Sequence, residues 1–228
     1  MTKITVCGAT GKVGRELLAL ISTDNNLTLA EAISGSGADG TLGLEEADLS
    51  RADVIIDFSS PEATMTLLDR LEGICVPLVV GTTGFSAEQA ERLQLEALKR
   101  PILVGANFTR GFEAFASAAC ALGRALPDAD ITVREVYKAE KKKLPSGTTQ
   151  RLSAELSGIS DSEVDIAIER IGDTPGINSV TLDYKVASIC LELKVHTRAA
   201  YAAGALEAAV WLTGRPNGFH VPKDLLNS

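Results

Sequence analysis

The stretch at residues 4–21, ITVCGATGKVGRELLALI, decides how the rest of the chain is read. Residues 4–7 are a short apolar run of strand character, stopped by Gly8. Past the glycines, Val13, Leu17, Leu18 and Ile21 recur at helical spacing. Gly8, Gly11 and Gly14 therefore open a helix directly after a strand. Glycine permits positive φ in such a turn and lets a pyrophosphate approach the backbone. The helix behind it offers free N–H groups and partial positive charge. Three glycines alone are weak evidence, but the strand–turn–helix setting makes them a dinucleotide-binding pattern.

The alternation continues outward. Residues 27–33 read as a second strand ended by SGSGADG. Residues 53–58 (DVIIDF), 77–80 and 102–104 read as further strands of the continuous apolar type that suits a parallel sheet covered on both faces. Pro61 opens a helix, and Ser86 with Gln89 three residues on has the spacing of a capping box. After about residue 110 the texture changes. A helix is expected over 112–126, then strands at 131–137, 164–171, 180–186 and 189–195, with one helix near 149–156. Strands in succession imply an antiparallel or mixed sheet. The fold class predicted is α/β. A Rossmann-type parallel-sheet domain spans 1–109 with 200–228, and a mixed-sheet α+β domain spans 110–199.

The chain has 228 residues, 45% of them apolar, enough for one large domain or two small ones. A net charge of −8 makes it a poor partner for nucleic acid and for an anionic membrane surface. No apolar run approaches the ~20 residues of a membrane helix, and no basic, apolar leader precedes the first strand, so a cytoplasmic protein is expected. Cys7, Cys75, Cys120 and Cys190 form no CxxC pair and no metal site is visible. They read as buried reduced thiols, Cys7 and Cys190 within apolar strand-like runs.

Sheets that prefer NAD usually carry Asp or Glu at the end of the second strand, to hold the ribose hydroxyls. Ser34, Gly35 and Ser36 stand there instead, Lys12 is nearby, and Glu31 lies earlier in the strand. NADPH is therefore expected over NADH. GTTG at 81–84 and Asn107 each follow a strand, where ligands of an open parallel sheet lie; either could also be an ordinary turn.

Taken together, GATGKVG (8–14), DFSSPE (57–62), GTTGF (81–85), ANFTRG (106–111), EVYKAEKKKLPSGTT (135–149) and KVHTRAAYAAGALEAAVWLTG (194–214) resemble, in order, the motifs of the 4-hydroxy-tetrahydrodipicolinate reductase family. The resemblance implies reduction of a cyclic, imine-type dicarboxylate by NADPH or NADH in lysine biosynthesis. It also implies a second domain that forms a homotetramer. By position, it implies that Gly8, Ala9, Thr10, Gly11, Lys12 and Val13 cradle the cofactor phosphates. Gly81, Thr82 and Thr83 would line the nicotinamide with Ala106, Asn107, Phe108 and Thr109. Gly147 and Thr148 would bind a substrate carboxylate, and Arg198 would face the substrate. PSGT also reads independently as an anion site, because Ser146 opens a helix there; a plain N-cap turn is the alternative.

One segment departs from the family pattern of Glu, an aliphatic residue, two histidines, two variable residues, Lys, one variable residue and DAPSGTA. Tyr137 and Lys138 occupy the histidine positions, Lys141 is kept, and Lys143 and Leu144 replace Asp and Ala. Tyr137 could donate a proton, although a phenol of ordinary pKa ~10 is a sluggish acid unless cations adjoin it. Lys138 could contact a carboxylate as a point charge, and Lys141 could bind substrate or act as the donor. Lys138, Lys141, Lys142 and Lys143 are the most basic stretch of an acidic chain and would attract a dicarboxylate. His196 is a further candidate acid, whereas His220 reads as part of an incidental tail. Three readings stay open. They are an active reductase with altered proton donation, a paralogue that binds the nucleotide without this activity, and a reductase of another imine or keto acid.

Overall fold

The computed structural model describes residues 1–139, 144–161, 163–174 and 176–227. In chain order the elements begin with β1 (Thr2–Cys7), α1 (Lys12–Thr23), β2 (Leu27–Ile33), β3 (Val54–Asp57), α2 (Pro61–Arg70), β4 (Leu78–Val80), α3 (Ala87–Glu96) and β5 (Pro101–Val104). They continue with α4 (Phe112–Ala125), β6 (Asp130–Tyr137), α5 (Gly147–Ser157), β7 (Val164–Arg170), β8 (Gly176–Asp183), β9 (Ser188–Val195), α6 (Ala199–Leu212) and β10 (Gly218–His220). They fall into two compact units, Met1–Arg110 with Arg198–Ser228, and Gly111–Thr197. Among the described residues no helix is long and apolar enough to cross a membrane.

The first unit is a six-stranded parallel sheet in the order β10-β5-β4-β3-β1-β2. Every residue of β3 and β4 is buried, as expected for strands covered on both faces. Alternate side chains go to opposite layers. Ile4, Val6, Ile56, Val79 and Leu103 meet α1 and α6, while Cys7, Ile55, Leu78, Val80 and Ile102 meet α2 and α3. The strand order reverses at β1, which has β2 on one side and β3 on the other, so a crevice opens above the carboxyl ends of β1 and β3. The capping box of α3 forms as its sequence predicts: Gln89 N donates to Ser86 Oγ and Ser86 N to Gln89 Oε1.

The second unit is a four-stranded sheet in the order β7-β6-β8-β9, with β6 parallel to β7 and antiparallel to β8. Both of its helices lie on one face, over Ile131, Val133, Val164, Val180, Leu182 and Leu191. By register, Thr132, Thr181 and Cys190 point to the other face, as do Arg134, Ser179 and Glu192. Arg134 Nε pairs there with Glu169 Oε1 at 2.6 Å.

Three expectations are corrected. The strand expected at 180–186 is β8 at Gly176–Asp183, and the chain turns over Lys185 at φ 72°. Val186, which reads as a strand residue, is the 90% exposed tip of that hairpin. His220 lies in β10, pairing with Leu103 at the sheet edge, rather than in a tail. Cys190 and Cys75 are exposed, not buried; Cys190 alternates onto the helix-free face of β9.

Gly204 of α6 sits against the Phe108 carbonyl, where an added Cβ would overlap that oxygen. Alanine normally favours a helix by ~1 kcal/mol over glycine. Here Gly204→Ala is expected to destabilise instead, by about 1–3 kcal/mol, because overpacking outweighs propensity. Urea unfolding checks this against Gly214→Ala, whose Cβ would meet nothing within 4 Å.

Candidate active site

The carboxyl ends of β1 and β3 lie side by side, Cys7 opposite Asp57. Gly8 follows at φ 78°, and a Cβ on it would overlap the Phe58 carbonyl. A Cβ on Gly14 would overlap the Gly8 carbonyl, so α1 can descend onto the turn only with glycine there. Gly11 is the N-cap of α1 and closes the turn by donating its N–H to Gly8 O at 2.9 Å. No side chain caps this helix and its first turn holds no acid. By contrast, Ser60, Ser86 and Ser146 cap α2, α3 and α5. An uncapped helix start behind a turn whose first residue, Gly8, admits no side chain fits a pyrophosphate. Ala9 is buried and Val13 packs on the core, so these two can offer only backbone, whereas Lys12 is exposed at the mouth.

Beside the turn is a cleft of about 480 Å³, lined by Gly8, Ser34, Gly35, Ser36, Glu45, Glu46 and Ala63 among others. Ser34 is buried, and its hydroxyl is engaged with Thr41 Oγ1 at 2.6 Å. Glu31 points elsewhere, as its position in the strand suggests, towards Arg51 Nη1 at 3.5 Å. Ser34, Gly35 and Ser36 stand at the end of β2 as expected, and the following loop adds Glu45 and Glu46 to the lining of the cleft.

Across β3, Gly81 continues β4 and donates its N–H to Asp57 O at 2.8 Å. The Phe58 ring occupies the space of the missing Gly81 side chain, and its centroid lies 5.7 Å from that of Phe108, edge-on. Thr82 is turned inward and buried, while Thr83 is exposed. Asn107 is also turned in, its Oδ1 accepting from Thr109 N at 2.8 Å. Thr109 Oγ1 is buried with no hydrogen-bond partner among the described residues, and Ala106 is exposed. Asp57 went unassigned from the sequence, although an acid ending a buried strand was the available signal. Burial raises its carboxyl above the usual range despite donations from Ser59, Thr64 and Thr82. Burial and then Asp57 push the Cys7 thiol well up.

In the second unit the key residues gather at the ends of β6 and β7, where Tyr137 is opposite Arg170. The fully buried Glu135 is the hub. It accepts from Arg170 Nη2 at 2.7 Å, Ser146 N at 3.0 Å, Ser146 Oγ at 2.6 Å and the Thr149 hydroxyl. Burial pushes its carboxyl up, but the donations from Ser146, Thr149 and Arg170 together hold it below the usual range. Arg170 also donates to Leu144 O at 3.0 Å, and its guanidinium lies 5.8 Å from the Tyr137 ring centroid. Ala139 N donates to Gly172 O at 2.9 Å. The end of β7 thus holds both flanks of the lysine segment. Lys141, Lys142 and Lys143 themselves lie outside the described residues.

Ser146 caps α5 by accepting from Thr149 N at 3.3 Å. Gly147 is exposed and Thr148 buried at the helix start. Lys138 is half-buried, and His196 and Arg198 are exposed. Within each unit, then, the expected residues share one edge: the glycine turn, Ser34 and the GTTG and ANFT loops in the first, Tyr137, Lys138 and PSGT in the second. Among the described residues no group of acids, cysteines and histidines is placed to hold a metal.

Comparison with known proteins gives the family. Residues 2–108 match the family described as dihydrodipicolinate reductase, N-terminus, and residues 111–226 that described as dihydrodipicolinate reductase, C-terminus. The chain is 32% identical over 257 residues to a 4-hydroxy-tetrahydrodipicolinate reductase of Wolinella succinogenes, covering 99% of both. It is 31% identical over 250 residues to the protein of that name from Methanoregula boonei, covering 99% of this chain and 98% of the relative. Its fold is similar, with a TM-score of 0.82 at 18% identity and 97% coverage of both chains, to a dipicolinate-bound dihydrodipicolinate reductase from Paenisporosarcina sp. TG-14.

Glu135→Gln removes the carboxylate that pairs with the Arg170 guanidinium, itself 9% exposed. Breaking such a pair is expected to cost roughly 3–5 kcal/mol. Because the folded carboxyl is held below its unfolded value, its contribution is present above the ordinary carboxylate range and lost as pH falls through the folded value. The gap in urea stability between wild type and variant should therefore be full at neutral pH and shrink in acid. A gap independent of pH would remove Glu135 from this role.

Proposed function

Because the chain belongs to the dihydrodipicolinate reductase family, we propose that it reduces 4-hydroxy-tetrahydrodipicolinate to tetrahydrodipicolinate in the diaminopimelate and lysine pathway. The observation that carries this reading is the uncapped start of α1 behind a turn that admits no side chain at Gly8 or Gly14, on the same sheet edge as GTTG and ANFT. When bound, the dinucleotide supplies the hydride. The backbone of Gly8, Ala9, Thr10, Gly11 and Val13 holds its phosphates with Lys12, and Ser34 marks the ribose end. Gly81, Thr82, Thr83, Ala106, Asn107, Phe108 and Thr109 border the nicotinamide. The reductant is NADPH or NADH: Lys12 favours a 2′-phosphate, and Glu45 and Glu46 oppose it.

The dicarboxylate is drawn by the lysine segment. Gly147 and Thr148 bind one carboxylate at the start of α5, which Ser146 caps while its own donors go to Glu135; Lys138 binds the other, and Arg198 faces the substrate. Lys141 or Tyr137 delivers the proton. Arg170 supports the tyrosine by placing a cation beside its ring, the neighbour that a phenol needs to act as an acid. The helix-free face of the second sheet is where copies of the chain meet as a homotetramer. Four cysteines that form no disulfide among the described residues suit a reducing cytoplasm.

Purified protein is expected to oxidise NADPH or NADH when given enzymatically made substrate. Lys141→Ala should lower kcat/KM by on the order of 10²–10⁴-fold, the usual worth of a proton donor, with cofactor affinity unchanged. An unchanged rate in Tyr137→Phe would leave Lys141 as the acid. The Tyr137–Lys138 replacement of the histidine pair motivates the competing readings. Cofactor binding without turnover would mean a non-catalytic paralogue, and turnover only with another imine or keto acid would mean a reshaped pocket.

A further inference from the structure

Asp57 is a fully buried carboxylate to which the reductase reading assigns no part. It ends β3 at the reversal of strand order, between Cys7 of β1 and Val80 of β4. The glycine turn begins on one side of it and GTTG on the other. Its Oδ1 accepts from Ser59 N at 3.1 Å and Ser59 Oγ at 2.5 Å. Its Oδ2 accepts from Thr64 Oγ1 at 2.5 Å and Thr82 Oγ1 at 3.3 Å. The circuit closes on itself, because Ser59 N also donates to Thr82 Oγ1 at 3.0 Å. Hydroxyls and one amide, rather than a cation, answer its charge among the described residues.

A buried charge met only by neutral donors is a costly way to stabilise a fold, since an apolar side chain would serve a strand end as well. What it does do is tie four pieces of chain to one point: β3, the Ser59 turn, the first turns of α2, and GTTG. Phe58 works alongside it. Its carbonyl faces Gly8 and its ring faces Gly81. The segment 57–59 is thus a rigid strut between the turn that holds the phosphates and the loop that borders the nicotinamide.

We propose that Asp57 is a positioning residue for hydride transfer, acting through Thr82 to hold GTTG at a set distance from the glycine turn and so to orient the nicotinamide. The proposal rests on the reductase reading, and its test has a readout independent of turnover. Asp57→Asn keeps the shape but puts an amide nitrogen, which cannot accept, against at least one hydroxyl. Thr82→Val removes a single hydroxyl at constant size, and Thr82→Ser restores it.

Saturation-transfer NMR of bound dinucleotide should show the adenine protons unchanged in Asp57→Asn and Thr82→Val, the nicotinamide protons weakened relative to them, and Thr82→Ser like wild type. Turnover should show the same split, with kcat falling on the order of 10²-fold, the usual cost of a ~1 Å misplacement, and KM for the cofactor little changed. Should Asp57→Asn not fold, Thr82→Val carries the comparison. A nicotinamide-to-adenine ratio equal to wild type in the folded variants overturns the proposal. Wild type that binds dinucleotide without turning substrate over sinks the reductase reading instead, and the NMR ratio still decides the role of Asp57.

Discussion

The close approach of Phe58 to two glycines governs the first unit. Its carbonyl lies where a side chain on residue 8 would be, and its ring where a side chain on residue 81 would be. Gly14 repeats the constraint from the other side, because α1 rests on the Gly8 carbonyl. The residues that follow β1 and β4 can therefore each close on Phe58, at the end of β3. That closeness opens the crevice over the sheet edge to a ligand rather than filling it with side chains.

Each unit places a buried carboxylate where a loop must be held. Asp57 gathers hydroxyls around the end of β3, and Glu135 gathers Ser146, Thr149 and Arg170 around the start of α5. Their electrostatics differ. Glu135 has a guanidinium against it, and its carboxyl sits below the ordinary range; Asp57 has none, and its carboxyl sits above. At the start of α5, Arg170 offsets the negative charge of Glu135.

Much of this was legible in the residues themselves. The strand–glycine–helix stretch, the apolar runs of β3 and β4 and the Ser86–Gln89 box each follow from local chemistry and appear as expected. The misses share a cause. Val186 is apolar, so it reads as strand, but Lys185 at positive φ ends β8 earlier. His220 follows a short polar stretch, so its strand is visible only once β5 offers an edge to pair with. Cys190 lies in an apolar run, yet its side of the sheet has no helix over it.

The residues alone determined the parallel α/β unit, the dinucleotide turn and the family motifs, because each depends on neighbours a few positions apart: a glycine's φ, a helix cap, an apolar period. Only the tertiary structure decided which side chains those motifs spend on one another. Thr82 and Ser34 turn their hydroxyls inward to partners far along the chain or across a loop. Glu45 and Glu46 line the cleft beside the glycine turn from a loop with no motif. Asp57, silent in the sequence, became the point where four segments meet. Strand pairing brings together residues distant in sequence, and no local pattern records that pairing.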